Sequence, residues 1–242
     1  MRCAIMQPTY LPWAGYFSLI GTVDYFYYLD CVQYSHHDWN NRNRILLSGQ
    51  SHWLTIPIRR HTLDQKMTVT FIDEKQHGKW QRKHAGSLHH AYSKTPYYSH
   101  IEEIVDLIEK SNHRLLIDLN ISVIEKVSQM LDIRTKTVRS SDVPVENLPR
   151  SDKLIALCRH VNCTHYVSPP GARQYLQEDN FSSLSDIALL FHHFCPIPYE
   201  QHSSQNFVSH LSIVDVIANL GIAGTKEYLG SYSLLSEQEV QS

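Results

Sequence analysis

The 242-residue chain carries 22 Lys and Arg against 24 Asp and Glu, a net charge of −2 with its 16 histidines neutral. That balance excludes a polycation that binds nucleic acid over its whole surface, although a local basic groove is compatible with it. An apolar share of 42% and a charged share of 19% fit one globular domain with a substantial core.

In chain order, residues 2–6 read as a buried first strand, 15–22 as a short helix and 25–29 as a second strand. Residues 44–58 predict a hairpin, with "SGQ" turning between "RILL" and "HWLTIPI", and "MTVTFI" (67–72) alternates like a further strand. From Lys79 the period becomes helical, over 79–92, 101–109 and a longer helix capped by Ser111 or Asn112 with Leu116, Leu119, Val123, Val127 and Met130 on one face. Further on, 135–139 suits a strand, 151–161 a helix, 164–167 a strand and 170–176 a short helix; 185–191 suits either. "LSIVDVIANLG" predicts a helix stopped by Gly221.

Strand and helix alternate at both ends of the chain with a helical block, about 79–132, between them. The expected fold is therefore α/β: a parallel-sheet, nucleotide-binding-like (Rossmann-like) core with a helical insertion or lobe. One domain is expected over 1–229, with a loosely held tail over 230–242. No signal-peptide core and no run near the ~20 apolar residues of a membrane span is present in the sequence. Cys3, Cys31, Cys158, Cys163 and Cys195 are scattered without CxxC spacing, which favours reduced thiols in a cytoplasmic protein. A zinc site from Cys158, Cys163 and a distant His is the alternative, and no metal ligand is assigned.

Four segments carry the candidate chemistry. In "QPTYLPWAGY" the loop after the first strand offers Gln7, Trp13, Gly15 and Tyr16 at the carboxyl edge of the sheet, where open α/β sheets bind ligands. The rings suit stacking on a base or sugar, or a rigid aromatic plug. Asp30 and Gln33 follow the second strand, and "NNRNR" then packs Asn41, Arg42, Asn43 and Arg44 together, suited to phosphate and hydroxyl recognition or to a polar turn. On the helix over 79–92, Trp80, Lys83, His84 and Ser87 fall near one face, Lys83 for phosphate and His84 for proton transfer. The doublets His36-His37, His89-His90 and His192-His193 are poor chelates, because adjacent helical residues diverge by about 100°. Finally, "SPPGAR" sets Ser168 and Arg173 about a helix start that favours anions.

Together, "MQPTYLPWAGYFSLI", "DCVQYS", "DWNNRNRI", "WLTIPI", "WQRKHAGSLHHAY", "TPYY", "SPPGARQYL" and "LSIVDVIANLG" resemble the WbqC-like protein family, in order and over about residues 3–224. The matching positions include Gln7, Trp13, Gly15, Tyr16, Asp30, Gln33, Asn41, Arg42, Asn43, Lys83, His84, Gly171, Ser212 and Asp215; Pro169-Pro170-Gly171 departs from the family's more usual Ser-Gly. The resemblance implies bacterial O-antigen and other surface-polysaccharide gene sets, and no defined reaction. A more distant resemblance is to nucleotidyltransferases with an HxGH signature. Here Trp13-Ala14-Gly15-Tyr16 stands in that slot without either histidine, and Pro170 stands where a later Thr is found.

These readings lead to three expectations. The first is a transferase acting on a nucleotide-linked sugar, moving an amino or acyl group, with His84 or Asp30 as proton acceptor and Arg42, Lys83 and Arg173 on the diphosphate. The second is a nucleotidyltransferase-like enzyme using a nucleoside triphosphate and Mg²⁺. The third is a non-catalytic binding protein of the same pathway. The expected partner in each case is a nucleotide or nucleotide-sugar, with no nucleic acid and no membrane span.

Overall fold

In the computed structural model, residues 1–35, 38–59 and 64–239 are described. The strand at the start is β1 (Arg2–Met6), followed by α1 (Ala14–Thr22) and β2 (Tyr25–Tyr28). A two-stranded hairpin, β3 (Arg42–Leu47) and β4 (Gln50–Thr55), precedes helices α2 (Lys79–Tyr92), α3 (Glu102–Glu109) and α4 (Leu116–Met130). The remaining elements are β5 (Lys136–Arg139), α5 (Arg150–His160), β6 (His165–Ser168), α6 (Arg173–Glu178), α7 (Phe181–Leu184), β7 (Ala188–Phe194), α8 (Ile213–Leu229) and β8 (Tyr232–Ser236).

The main sheet has the order β5-β2-β1-β6-β7-β8. All neighbours pair in parallel except β7 and β8, which are antiparallel. In chain order the parallel strands therefore read 3-2-1-4-5, the Rossmann arrangement, and the order reverses between β1 and β6. The central strands are buried on both faces, as a sheet covered by helices requires. Ala4, Phe26 and Tyr28 face a core shared with α1, α4 and α8, whereas Cys3, Ile5 and Tyr27 face a second core built with α5, α6 and α7. The period of two along β1 and β2 is what sends alternate side chains into the two cores.

The hairpin turns through Ser48 and Gly49, both at positive φ (51° and 76°), the pair of left-handed conformations that a two-residue turn with the twist of its strands demands. The helix expected over 79–92 has those bounds. The helix capped from Ser111 or Asn112 begins later, at Leu116, because Ser111 Oγ accepts from His113 N and closes a turn ahead of it. "MTVTFI" is not a strand. Val69 N and Thr70 N donate back to Lys66 O and Met67 O and wind it into a turn, leaving only single bridges at Phe71 and Ile72. Gly221 does not end its helix but kinks it at φ 69°, ψ −179°, and helical turns resume to Leu229. Tyr97 lies so close that a Cβ on Gly221 would stand 2.8 Å from the ring. The segment after Gly230, expected to be loosely held, supplies β8, whose ladder from Tyr232 to Ser236 closes the sheet beyond β7. His36-His37 lies outside the described residues.

Candidate functional site

The loop from β1 to α1, residues 7–13, leaves the sheet beside the β1/β6 reversal and is held by amides from distant parts of the chain. Asn43 Nδ2 donates to Tyr10 O (3.1 Å) and Leu11 O (2.7 Å), pinning Leu11 at φ 45°. Asn120 Nδ2 on α4 donates to Pro8 O (3.1 Å) and Asn40 O (2.7 Å), and Asn40 Nδ2 donates to the Gln7 side chain (3.0 Å). Tyr10 N donates to Trp39 O, and Ile213 N at the start of α8 donates to Pro12 O. Two prolines and several backbone carbonyls left without ladder partners explain why so many side-chain donors converge here.

Held in this way, the loop walls two adjoining cavities. One, of about 240 Å³, is bounded by Met6, Thr9, Trp13, Tyr16, Trp39, Asn43 and His210. The other, of about 360 Å³, lies between Met6, Trp13, Gly15 and Tyr16 and the segments Pro169-Pro170-Gly171 and His192-His193-Phe194, with His210 again at its edge. Trp13 stands between them, stacked on His210 (centroids 4.6 Å apart) and edge-on to Phe194 (5.4 Å). Trp39 packs against Trp53 at 5.3 Å, and the Arg44 guanidinium lies 5.5 Å from the Trp39 ring. Arg44 Nη2 also donates to His210 O at 3.4 Å.

Trp13, Gly15, Tyr16 and Asn43 of the sequence-predicted set thus line the cavities. Gly15 serves the site through close packing. A Cβ there would lie 2.4 Å from two atoms of the Trp13 ring, so the glycine is the seat of that ring. Gly15→Ala should displace Trp13 and cost about 2 kcal/mol through overpacking, read as a lower urea midpoint together with a change in tryptophan emission.

The other candidates are placed elsewhere. His84 is not on the exposed face of α2: the buried stripe runs Trp80-His84-Leu88-Tyr92, whereas the neighbouring Lys83 is exposed. His84 Nδ1 pairs with the Tyr10 hydroxyl at 3.0 Å, and burial lowers its pKa to about 4. Asp30 does not project at the sheet edge. It is fully buried and accepts from Ser140 Oγ (2.9 Å), Ser141 N (2.8 Å) and Ser141 Oγ (2.8 Å), fastening β2 to the turn after β5. Asn41 Nδ2 donates to Ile56 O within the hairpin. Gln7 is taken up by Asn40, and Gln33 forms a bridge to Lys66. Arg42 lies over Trp53 at 4.4 Å, Ser168 is buried at the end of β6, and Arg173 opens α6; none of these lines either cavity.

Sequence reasoning missed His210, Thr9 and Met6 as lining groups, and dismissed His192-His193 as a poor chelate without considering it as a wall. His210 sits at φ 58°, two residues before the α8 cap Ser212; an isolated histidine before a helix carries no signal of this. Burial and the Arg44 charge hold its pKa below the ordinary histidine value, so it is a neutral base at physiological pH. His192 is buried, with a pKa lowered to about 4, and its Nε2 lies 3.0 Å from Ser18 Oγ. Ser18 spends its own proton on Leu229 O (2.7 Å), which makes His192 Nε2 the donor to Ser18. Among the described residues no helix is long and apolar enough to cross a membrane.

A protein of Mycobacterium tuberculosis named "Uncharacterized protein Rv1507c" is 33% identical over 230 residues, which cover 94% of this chain and 97% of that relative. No solved structure matches. The family model described as the WbqC-like protein family matches residues 7–227, from the clamped loop after β1 almost to the end of α8, and the chain therefore belongs to the WbqC-like protein family.

Proposed function

We propose that the protein is a transferase of bacterial surface-polysaccharide biosynthesis that holds a nucleotide-linked sugar around Trp13 and transfers an amino or acyl group on it. The observation that carries this reading is the pair of cavities flanking the Trp13–His210 stack at the β1/β6 reversal, the edge at which open α/β sheets take nucleotides. Trp13, Tyr16 and Trp39 offer ring faces to a base and a sugar. Two adjoining cavities suit a ligand with two bulky ends. Arg44, which borders the site through Trp39 and His210, supplies positive charge for the diphosphate.

The proton acceptor in this reading is His210 rather than His84 or Asp30. A base must reach the attacking group, and both of those are buried and hydrogen-bonded away from the cavities. In acyl transfer the attacking amine bonds to the acyl carbon, its proton passes to His210, and the bond from acyl carbon to carrier breaks with its electron pair leaving on the carrier. The nucleotidyltransferase alternative has weaker support. Mg²⁺ is held by carboxylates and substrate phosphates, and among the described residues neither cavity is lined by an Asp or Glu, so the residues present do not fit that ion.

Thermal unfolding against a panel of nucleotide-sugars tests the reading. A true ligand at about 100 times its Kd should raise Tm by roughly 5–10 °C without Mg²⁺. Trp13→Ala should abolish the shift. A response only to triphosphate with Mg²⁺, or a shift that survives Trp13→Ala, overturns it.

A further inference from the structure

Three of the five cysteines, from three separate parts of the chain, meet in the second core. Cys3 is on β1, Cys158 is near the end of α5, and Cys163 is in the turn that leads to β6. Their Sγ atoms all lie within 4.8 Å of one another, and those of Cys3 and Cys158 are 3.3 Å apart. All three are buried, Cys163 being the outermost at 6% exposure. Among the described residues this is the one group of three or more His, Cys, Asp or Glu side chains close enough to share an ion.

We propose that Cys3, Cys158 and Cys163 form a three-thiolate site for a soft monovalent cation, Cu(I). Thiolate donors select soft metals. Structural zinc takes four ligands, and no fourth such donor joins this group among the described residues. A three-coordinate soft ion needs no fourth. With metal–sulfur bonds of about 2.3 Å, a trigonal set places its sulfurs about 4.0 Å apart. The cluster reaches that by opening the Cys3–Cys158 contact slightly. The surroundings include Ile5, Leu154, Leu157 and Phe181. Such an apolar shell excludes water and hard ions and protects a cuprous ion. The three ligands would tie β1 to α5. Packing alone accounts for single buried cysteines; the convergence of three sulfurs on one point is what packing does not require.

The test titrates the reduced full-length protein with Cu(I) under anaerobic conditions, with bathocuproine as the competing chelator. The expected result is one tightly held equivalent per chain and a thiolate-to-copper absorption band that saturates at that ratio. Cys163→Ser should weaken retention by at least about 100-fold, the upper end of what the loss of a mere outer-sphere partner costs. Cys31→Ser and Cys195→Ser should leave it unchanged. If Cys163→Ser fails to fold, alkylation of the wild type replaces it: in mild denaturant, Cu(I) should lower the number of reactive thiols from five to two. Retention that survives Cys163→Ser, tighter retention of Zn²⁺ than of Cu(I), or protection that does not include these three thiols overturns the proposal.

Discussion

Lowering the pH from 7 to 4 should remove about 6 kcal/mol of folding stability, a large part of the roughly 5–15 kcal/mol that holds a folded domain together. The source is His84 and His192, each buried with a pKa lowered to about 4, chiefly by desolvation. An unfolded histidine titrates near 6.5. Between these values the unfolded chain takes up two protons that the folded chain refuses. Stability is therefore complete above about pH 6.5, falls as the pH drops, and levels off below about 4. A shift of about 2.5 units is worth about 3 kcal/mol for each residue. Urea midpoints measured from pH 7.5 to 4 give the slope directly. His84→Gln, which keeps a polar partner for the Tyr10 hydroxyl, should lose about half of it. An unchanged slope in that variant would remove His84 as a source.

Asn43→Ala should cost about 3 kcal/mol and unmake the cavity wall at the same time. The side chain is 2% exposed, donates to two carbonyls and accepts from Arg44 N at 2.7 Å. Truncation leaves buried carbonyls without donors, at roughly 1–3 kcal/mol each where water cannot reach them. It also frees Leu11, whose positive φ costs about 1–3 kcal/mol when nothing imposes it. Asn43→Asp should be no better, since it keeps the shape but turns an anion toward two carbonyl oxygens. By contrast, Asn41→Ala removes one bond to Ile56 O and should cost about 1 kcal/mol. Equal losses at 41 and 43 in urea denaturation would refute the clamp.

The two histidines and the asparagines also show where the sequence was legible. Periodicity found α2 with its bounds, and it found β1, α1 and the hairpin, because these elements are specified by residues two to four positions apart. The buried role of His84 was within reach of the same pattern. Trp80, Ala85, Leu88 and Tyr92 make an apolar stripe that includes it, and pairing His84 with Lys83 overlooked that stripe. Asp30 was different. Its partners, Ser140 and Ser141, lie 110 and 111 residues away, and nothing near Asp30 announces them. For "NNRNR" the density of amide donors was legible, but an amide that can read a ligand hydroxyl can equally hold a loop carbonyl, as Asn43 does. Only the fold decides between the two. His210 reaches Trp13 from nearly two hundred residues further along the chain, and Cys3 reaches Cys158 over a separation of 155.

The partner of β2 on its outer side has a consequence for how the molecule is made. Tyr25 to Tyr28 pair with Lys136 to Arg139, 111 residues downstream, and the hairpin and α2–α4 intervene. At a synthesis rate of roughly 5–20 residues per second, the growing chain carries an open strand edge of "YFYY" for about 5–20 s before β5 exists. Closing so large a loop is slow unless the intervening helices compact first and bring its ends together. A helical block that compacted first would act as an assembly jig for this pairing. Until it has formed, an aromatic edge stands open to the wrong strand.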